Sequence, residues 1–280
     1  MIKIVTDTTC SIPVAELKEK GIYFVPQIIT FGNESFEDDY QISSQQFLEK
    51  LKASSTLPGT AAPPPALYQP IFKEILEHGD EAVVLAPSHF LSGTLRSATL
   101  AATEWKSEHI HILDTLTIAG GFGQLVLLAD TMAKSGCSAK EILAEVETLS
   151  KKEQLYFLVN TLEYLHKGGR IGSASKLIGS LLQIKPILTL NAGKVEPHDK
   201  VRTFNQAVKV IEELNKSSLL YNPNGMPSIS QADNRDEAIA LASRLQESLG
   251  IQDIPVYNAP PAIIVHAGPG LIVTSCFRKV

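Results

Sequence analysis

The alternation of short β-branched runs with helix-length amphipathic segments constrains this chain more than any other feature. Residues 82–86 (Ala-Val-Val-Leu-Ala) read as a buried strand, Ser92 opens a helix carrying Leu95, Ala98 and Ala102, and residues 109–113 read as a second strand. Strand, helix and strand at these lengths form a βαβ unit, which predicts a parallel sheet. The same grammar begins at the first residues. Residues 2–6 are strand-like, Pro13 sits where a first helical turn tolerates it, Gly21 stops that helix, and residues 23–31 form one further strand candidate. Ser43 with Gln46 three residues on is a capping box opening a helix to Lys52. A loop, 54–65, ends in three prolines and leads into a helix with Leu67, Ile71, Phe72 and Ile75 on one face. A long helix after Leu116 and a second one, capped by Ser138 and Glu141, complete this half.

The second half differs in character. Residues 154–159 are strand-like, and a short helix beginning at 162–165 runs into Gly168-Gly169. Residues 185–190 and 194–195 flank Asn191-Ala192-Gly193 as a β-hairpin. Two amphipathic helices follow, one burying Phe204, Val208, Ile211 and Leu214, the other Leu241, Ala242, Leu245 and Leu249 before Gly250. Residues 254–257, 262–266 and 271–277 read as strands. At 280 residues and 44% apolar, the chain is long enough for two cores. The expected class is α/β, with an N-terminal parallel-sheet domain over 1–152, a boundary at Lys151-Lys152-Glu153, and a C-terminal mixed-sheet domain over 153–280.

Charge and motifs narrow the function. A net charge of −5 lacks the basic footprint that nucleic-acid binding needs. The N-terminus reaches charge at once, without the apolar region of a secretion signal. Residues 115–129 are too short for a membrane span, and prolines break 254–277, so no integral membrane segment is expected, although transient membrane contact is compatible with the sequence. Cys10, Cys137 and Cys276 are odd in number and widely spaced, which fits a reduced cytoplasm. No G-x-S-x-G, P-loop, H-E-x-x-H or EF-hand pattern occurs. Gly121-Phe122-Gly123 and Gly268-Pro269-Gly270 each lack the third glycine of a dinucleotide fingerprint. His109 and His111 share a strand face, but further convergent metal ligands are missing, and two histidines on a solvated face explain them.

Three places carry chemistry. Thr60 ends the proline-rich loop just before a helix, and Ser92 with Gly93 follows a strand and opens a helix. Helix N-termini favour carboxylates and phosphates, and Gly93 allows close approach to the backbone. His266, at the end of an apolar strand, is placed to donate a hydrogen bond to an anion. Plain N-caps explain Thr60 and Ser92 equally well, and a structural histidine explains His266.

Five segments in order resemble the DegV family of fatty-acid-binding proteins: Ile4-Val5-Thr6-Asp7-Thr8-Thr9, Ser92-Gly93-Thr94 with Ser97-Ala98, Asp114-Thr115-Leu116 with Gly120-Gly121-Phe122-Gly123, Leu165 through Gly168-Gly169-Arg170-Ile171 with 182–188 continuing the pattern, and His266-Ala267-Gly268-Pro269-Gly270. The resemblance implies two α/β domains with one long-chain fatty acid in an apolar tunnel between them, and no other cofactor or metal. It implies a non-catalytic protein that hands the carboxylate to a partner fatty acid kinase for acyl-phosphate formation. By position the carboxylate ligands are Thr60, Ser92 and His266, with the backbone at Ala61 and Gly93. Arg170 reads either as a cation near a helix C-terminus or, from the resemblance, as a surface arginine that engages the kinase.

Two departures stand out. The family reads close to "TSQPS" where this chain has Thr60-Ala61-Ala62-Pro63-Pro64, so a hydroxyl beside Thr60 is replaced by the Ala61 methyl, leaving only its N–H. After Gly270 comes Leu271-Ile272-Val273 rather than a small residue and glycine. Two other readings are therefore kept. One is an acyl hydrolase or transferase using Ser92 and His266, with Asp7 or Asp114 to orient the histidine. The other is a regulatory protein that has lost its ligand.

Overall fold

The computed structural model describes residues 1–178, 184–220, 222 and 224–278; Leu182 and Gln183, at the start of the 182–188 stretch expected to continue the fourth family-like segment, lie outside them. Four strands, β1 (Ile2–Asp7), β2 (Tyr23–Val25), β6 (Glu81–Ala86) and β7 (Ile110–Asp114), form an all-parallel sheet in the order β2-β1-β6-β7. Successive residues point to opposite faces, so Val5 and Val84 meet Phe72 and Ile75 of α3 (Gln69–Glu77) and Ala98 of α4 (Thr94–Trp105). Ile4, Val83 and Leu85 meet the other layer, built from α1 (Val14–Lys20), α5 (Ala119–Lys134) and α6 (Ala139–Ser150). The Ser138–Glu141 capping box that opens α6 is formed.

The C-terminal sheet is mixed. Its order is β10-β9-β8-β13-β11-β12, with β8 (Glu153–Leu158), β9 (Lys185–Asn191), β10 (Lys194–Val201), β11 (Ser228–Ala232), β12 (Val256–Asn258) and β13 (Leu271–Phe277). Only the β11–β12 pair is parallel. One face is covered by α8 (Phe204–Leu220) and α9 (Arg235–Leu249). The other face, through Leu155, Phe157, Leu188 and Val273, packs on α7 (Glu163–Lys167), α10 (Pro261–Ala267) and a layer donated by the first half. That layer is α2 (Ser44–Ala53), opened by the expected Ser43–Gln46 capping box, with a small antiparallel sheet of β4 (Glu34–Glu37), β3 (Ile28–Phe31) and β5 (Gly59–Ala61).

Three expectations are corrected. Residues 23–31 are not one strand: Pro26, with no N–H to donate, separates β2 from β3, which join different sheets. Residues 262–266 are helical, in α10; Pro260 is its N-cap, Pro261 takes its first turn, and residues 261–265 are buried all round, which removes the periodicity that would mark a helix. Thr60 lies within β5 rather than before a helix, and the next α-helix starts at Gln69. His111 Nε2 pairs with Glu81 at 2.8 Å, and no cluster able to hold a metal occurs among the described residues. No helix among them is long and apolar enough to cross a membrane.

The glycine-rich start of α5 has a packing role. A Cβ on Gly121 would lie 1.8 Å from Glu153 Oε1 and 2.3 Å from Ser275 Oγ, and one on Gly123 would lie 2.4 Å from the Cys10 carbonyl oxygen. Only glycine lets this helix touch the opening turn of the first half and the central strands of the second at once.

Candidate functional site

The carboxyl ends of β1, β2 and β6 point toward α10 and the inner face of the C-terminal sheet, the usual location of ligand sites in open α/β folds. Between them is a narrow cavity of about 100 Å³. Ile118 and Ala119 from the start of α5, Leu155 and Phe157 of β8, and Leu190 and Val195 of the β9–β10 hairpin give it apolar walls. Polar side chains collect at one part: Thr9, Gln27, Thr60, Ser92, Arg170 and His266.

Thr60 and His266, 206 residues apart, are brought into contact, with Oγ1 and Nε2 2.7 Å apart. Thr60 is held by the β5–β3 pairing and by the Ser97 hydroxyl, which donates to the Pro63 carbonyl and ties the proline-rich loop to α4. His266 sits in the last turn of α10. Its Nδ1 is buried without a hydrogen-bond partner against the backbone of Gly168, where a Cβ would come within 2.2 Å. Burial, and secondarily the Arg170 charge, depress the imidazole pKa to about 4, so the ring is neutral at pH 7. Arg170 is half-buried; its Nε donates to the Leu91 carbonyl at 3.0 Å and an Nη to the Gly168 carbonyl at 2.7 Å. These bonds use two of its five donors, and its side chain forms part of the cavity wall.

Ser92 sits just before the Gly93 N-cap of α4, and its Oγ accepts from Thr94 N–H at 3.3 Å. Behind it is a buried network that sequence reasoning missed. Asp7, fully buried at the end of β1, accepts from Thr9 N, Thr9 Oγ1, Gln27 Nε2 and Thr94 Oγ1 at 2.8, 2.5, 2.6 and 2.6 Å. Burial pushes its carboxyl up from the ordinary value, and these donated bonds oppose the shift. Gln27 Nε2 also lies 2.8 Å from Thr94 Oγ1 and 3.4 Å from Ser92 Oγ. Asp38, also fully buried, accepts from Thr8 Oγ1 at 2.6 Å and from Ala262 N–H, in the first turn of α10, at 3.1 Å.

Of the residues expected at a carboxylate site, Thr60, Ser92, Gly93 and His266 line one cavity. Ala61 is exposed and does not line it; Ala62 does. Gln27 carries no motif, and its position beside Pro26 is the only sequence sign that the chain turns there.

This arrangement defines a class: a two-domain α/β protein with an apolar cavity between its sheets, closed at one part by hydroxyls, a neutral histidine and an arginine. The chain belongs to the DegV family, whose model matches residues 1–279. It is 32% identical over 272 residues to a DegV domain-containing protein of Deinococcus radiodurans, covering 97% of this chain and 96% of that one. Among solved structures it is similar to a fatty-acid-binding DegV family protein from Thermus thermophilus, with a TM-score of 0.91, 29% identity and 99% of both chains covered. It is also similar to DegV, a fatty-acid-binding protein from Bacillus subtilis, with a TM-score of 0.87, 28% identity and the same coverage.

Proposed function

We propose that this protein binds a long-chain fatty acid, with the carboxylate at Thr60, Ser92, Gly93 and His266 and the acyl chain along the apolar walls, and presents that carboxylate to a fatty acid kinase that forms the acyl-phosphate. The observation that carries the reading is the Thr60–His266 pair at the polar part of an otherwise apolar cavity. A tail there gains about 0.8 kcal/mol per buried CH₂, and each charge-assisted hydrogen bond to the head adds about 1.5–3 kcal/mol. Binding is supported by the apolar walls with polar side chains at one part and by the two similar solved proteins described as fatty-acid-binding. Presentation to a kinase is supported by exposure: Gly93 and Ala61 are solvent-accessible beside the head-group residues, while Ala119, Leu155, Phe157 and Val195 of the tail walls are buried. Arg170, held at that rim, is suited to a phosphoryl group.

The Ser–His hydrolase reading has less support. The His266 Nδ1 that a carboxylate would orient has no partner. Asp7 is occupied by Thr9, Gln27 and Thr94, and Asp114 Oδ2 lies 2.5 Å from His89. Mass spectrometry of the protein, native and after organic extraction, tests the main reading. A stoichiometric fatty acid that is lost or weakened in a Thr60→Val/Ser92→Ala double variant is expected. A protein that is empty and takes up no added fatty acid would overturn it and favour the ligand-free regulatory role.

A further inference from the structure

The turn that carries Ser92 is anchored by a residue outside the cavity. Ser88 stands two residues after β6 and is fully buried. Its carbonyl accepts from the N–H groups of Leu91 and Ser92 at 2.9 and 3.0 Å, which fixes the turn 88–92, and its own N–H donates to the Thr117 carbonyl at 2.9 Å. Its Oγ accepts from Phe90 N–H at 3.3 Å and donates to the Gly193 carbonyl at 2.8 Å. The sense of these two bonds follows from the groups: a backbone N–H only donates and a carbonyl oxygen only accepts, so the single hydroxyl proton lies on the Gly193 side. Gly193, at the tip of the β9–β10 hairpin, has a φ of +80°, and a Cβ there would come within 2.5 Å of Ser88 Oγ, so glycine permits the contact. The stems of that hairpin carry Leu190 and Val195, and Thr117 precedes Ile118 and Ala119, all four in the cavity wall. Ser88 does not line the cavity, yet it joins the turn bearing Ser92 to a tail wall from each half of the molecule. Two further contacts from the second half reach this turn: Arg170 Nε donates to the Leu91 carbonyl at 3.0 Å, and Lys194 Nζ lies 4.3 Å from the centre of the Phe90 ring. The first is part-buried and the second involves an exposed lysine, so the Ser88–Gly193 bond is the one of the three that is shut away from water.

We propose that Ser88 is a positioning residue for the ligand's head group: by bonding to the hairpin tip of the second half, it sets where Ser92 stands relative to Thr60 and His266, so that the carboxylate site is complete only with the hairpin docked. This rests on the fatty-acid reading above and adds to it a residue that acts through Ser92 without touching the ligand.

The test is a titration of the full chain with hexadecanoic acid and with hexadecan-1-ol, which share a tail and differ in head group. The proteins are the wild type, Ser88→Ala, Ser88→Cys, Ser92→Ala and the Ser88→Ala/Ser92→Ala double variant. Loss of one buried hydrogen bond, with Ser92 displaced from a charged head group, should weaken the acid about five- to tenfold and the neutral alcohol by less than about twofold. Ser88→Cys, which keeps only a weak S–H donor, should move the acid the same way by a smaller factor. In the Ser92→Ala background, Ser88→Ala should cost the acid about twofold or less, because two changes that act through one group do not add. Acid and alcohol weakened alike, the mark of a merely structural residue, would overturn the inference and leave the fatty-acid reading intact. So would unchanged acid binding, or a full further loss in the Ser92→Ala background. A wild type that binds no hexadecanoic acid overturns both. Should Ser88→Ala fold poorly, Ser88→Cys against the wild type decides by the same comparison of acid with alcohol.

Discussion

At the scale of single residues, the site depends on close contacts. Gly168 is the clearest case: a methyl there would meet His266 Nδ1 at 2.2 Å, and the imidazole has the Thr60 hydroxyl on its other nitrogen. Gly168→Ala should cost about 1–3 kcal/mol of stability, the usual penalty for overpacking, and should weaken fatty-acid binding at least tenfold by displacing His266, as read by calorimetric titration. Unchanged affinity would mean that His266 is not a head-group ligand. His266 also carries a pH signature. Its pKa in the folded protein, about 4, lies below the ordinary 6.5 because burial disfavours the charged ring. The folded state therefore binds fewer protons than the unfolded state between those values, and the histidine's contribution to stability, complete above about 6.5, is lost as pH falls toward 4. Urea unfolding of His266→Gln should show a shallower loss of stability over that window than the wild type. Thr60, Ser92 and His266 stand out in the sequence both as polar groups at expected element ends and through the resemblance, and the three line one cavity. Asp7 and Gln27 were illegible in their roles: they meet only when β1 and the turn after β2 lie side by side, and 20 positions separate them.

At the scale of elements, α10 shows where local pattern fails. Its buried apolar run has no polar stripe, so periodicity suggests a strand, and only Pro260-Pro261 at its start argues for a helix. β11 was missed for the opposite reason. Its sequence, Ser-Ile-Ser-Gln-Ala, is polar, yet all five residues are buried, because a Gly120 Cβ would lie 2.7 Å from Ser228 Oγ and the close-packed α5 leaves room only for small side chains there. The helices flanked by recognisable caps were legible, since a capping box is a local hydrogen-bond pattern. α10 has no capping side chain of its own; Asp38 supplies one from 224 residues away. Burial pushes the Asp38 carboxyl up to about 8. With a folded pKa above the ordinary 3.8, its contribution to stability is complete below about 4 and declines as pH rises through 8. Asp38→Asn keeps an acceptor for Ala262 N–H without the buried charge, so its stability should fall less than that of the wild type between pH 5 and 8.5. Asp38→Ala, which leaves the helix end uncapped, should cost about 1–2 kcal/mol near pH 5. Equal pH slopes in wild type and Asp38→Asn, measured by chemical denaturation, would contradict this assignment.

At the scale of the whole molecule, the two sheets are legible from the order of strand and helix signals, but the way they are joined is not. We infer a boundary between Lys152 and Glu153, because the parallel sheet is built from strands before it and the mixed sheet from strands after it. In space the division is less simple. α2 and the β4-β3-β5 sheet, from the first half, share a core with Phe157, Leu188 and Ile264 of the second, and α5 contacts both β1 and β13. The cavity lies in this seam, and Ile118 and Ala119 at the start of α5 form part of its wall. Whatever holds the seam should therefore control stability and ligand binding together. Gly121 tests the coupling, since a methyl there would collide with Glu153 and Ser275 of the C-terminal sheet. Gly121→Ala should destabilise the chain by about 1–3 kcal/mol. Added fatty acid should restore part of that loss, because a ligand bound only by the assembled fold stabilises it by about 2.7 kcal/mol at a hundred times its dissociation constant. Thermal unfolding with and without hexadecanoic acid provides the measurement. If the variant binds the acid as tightly as the wild type despite a lower melting temperature, the seam and the cavity are independent, and the acyl chain is held by one half of the molecule alone.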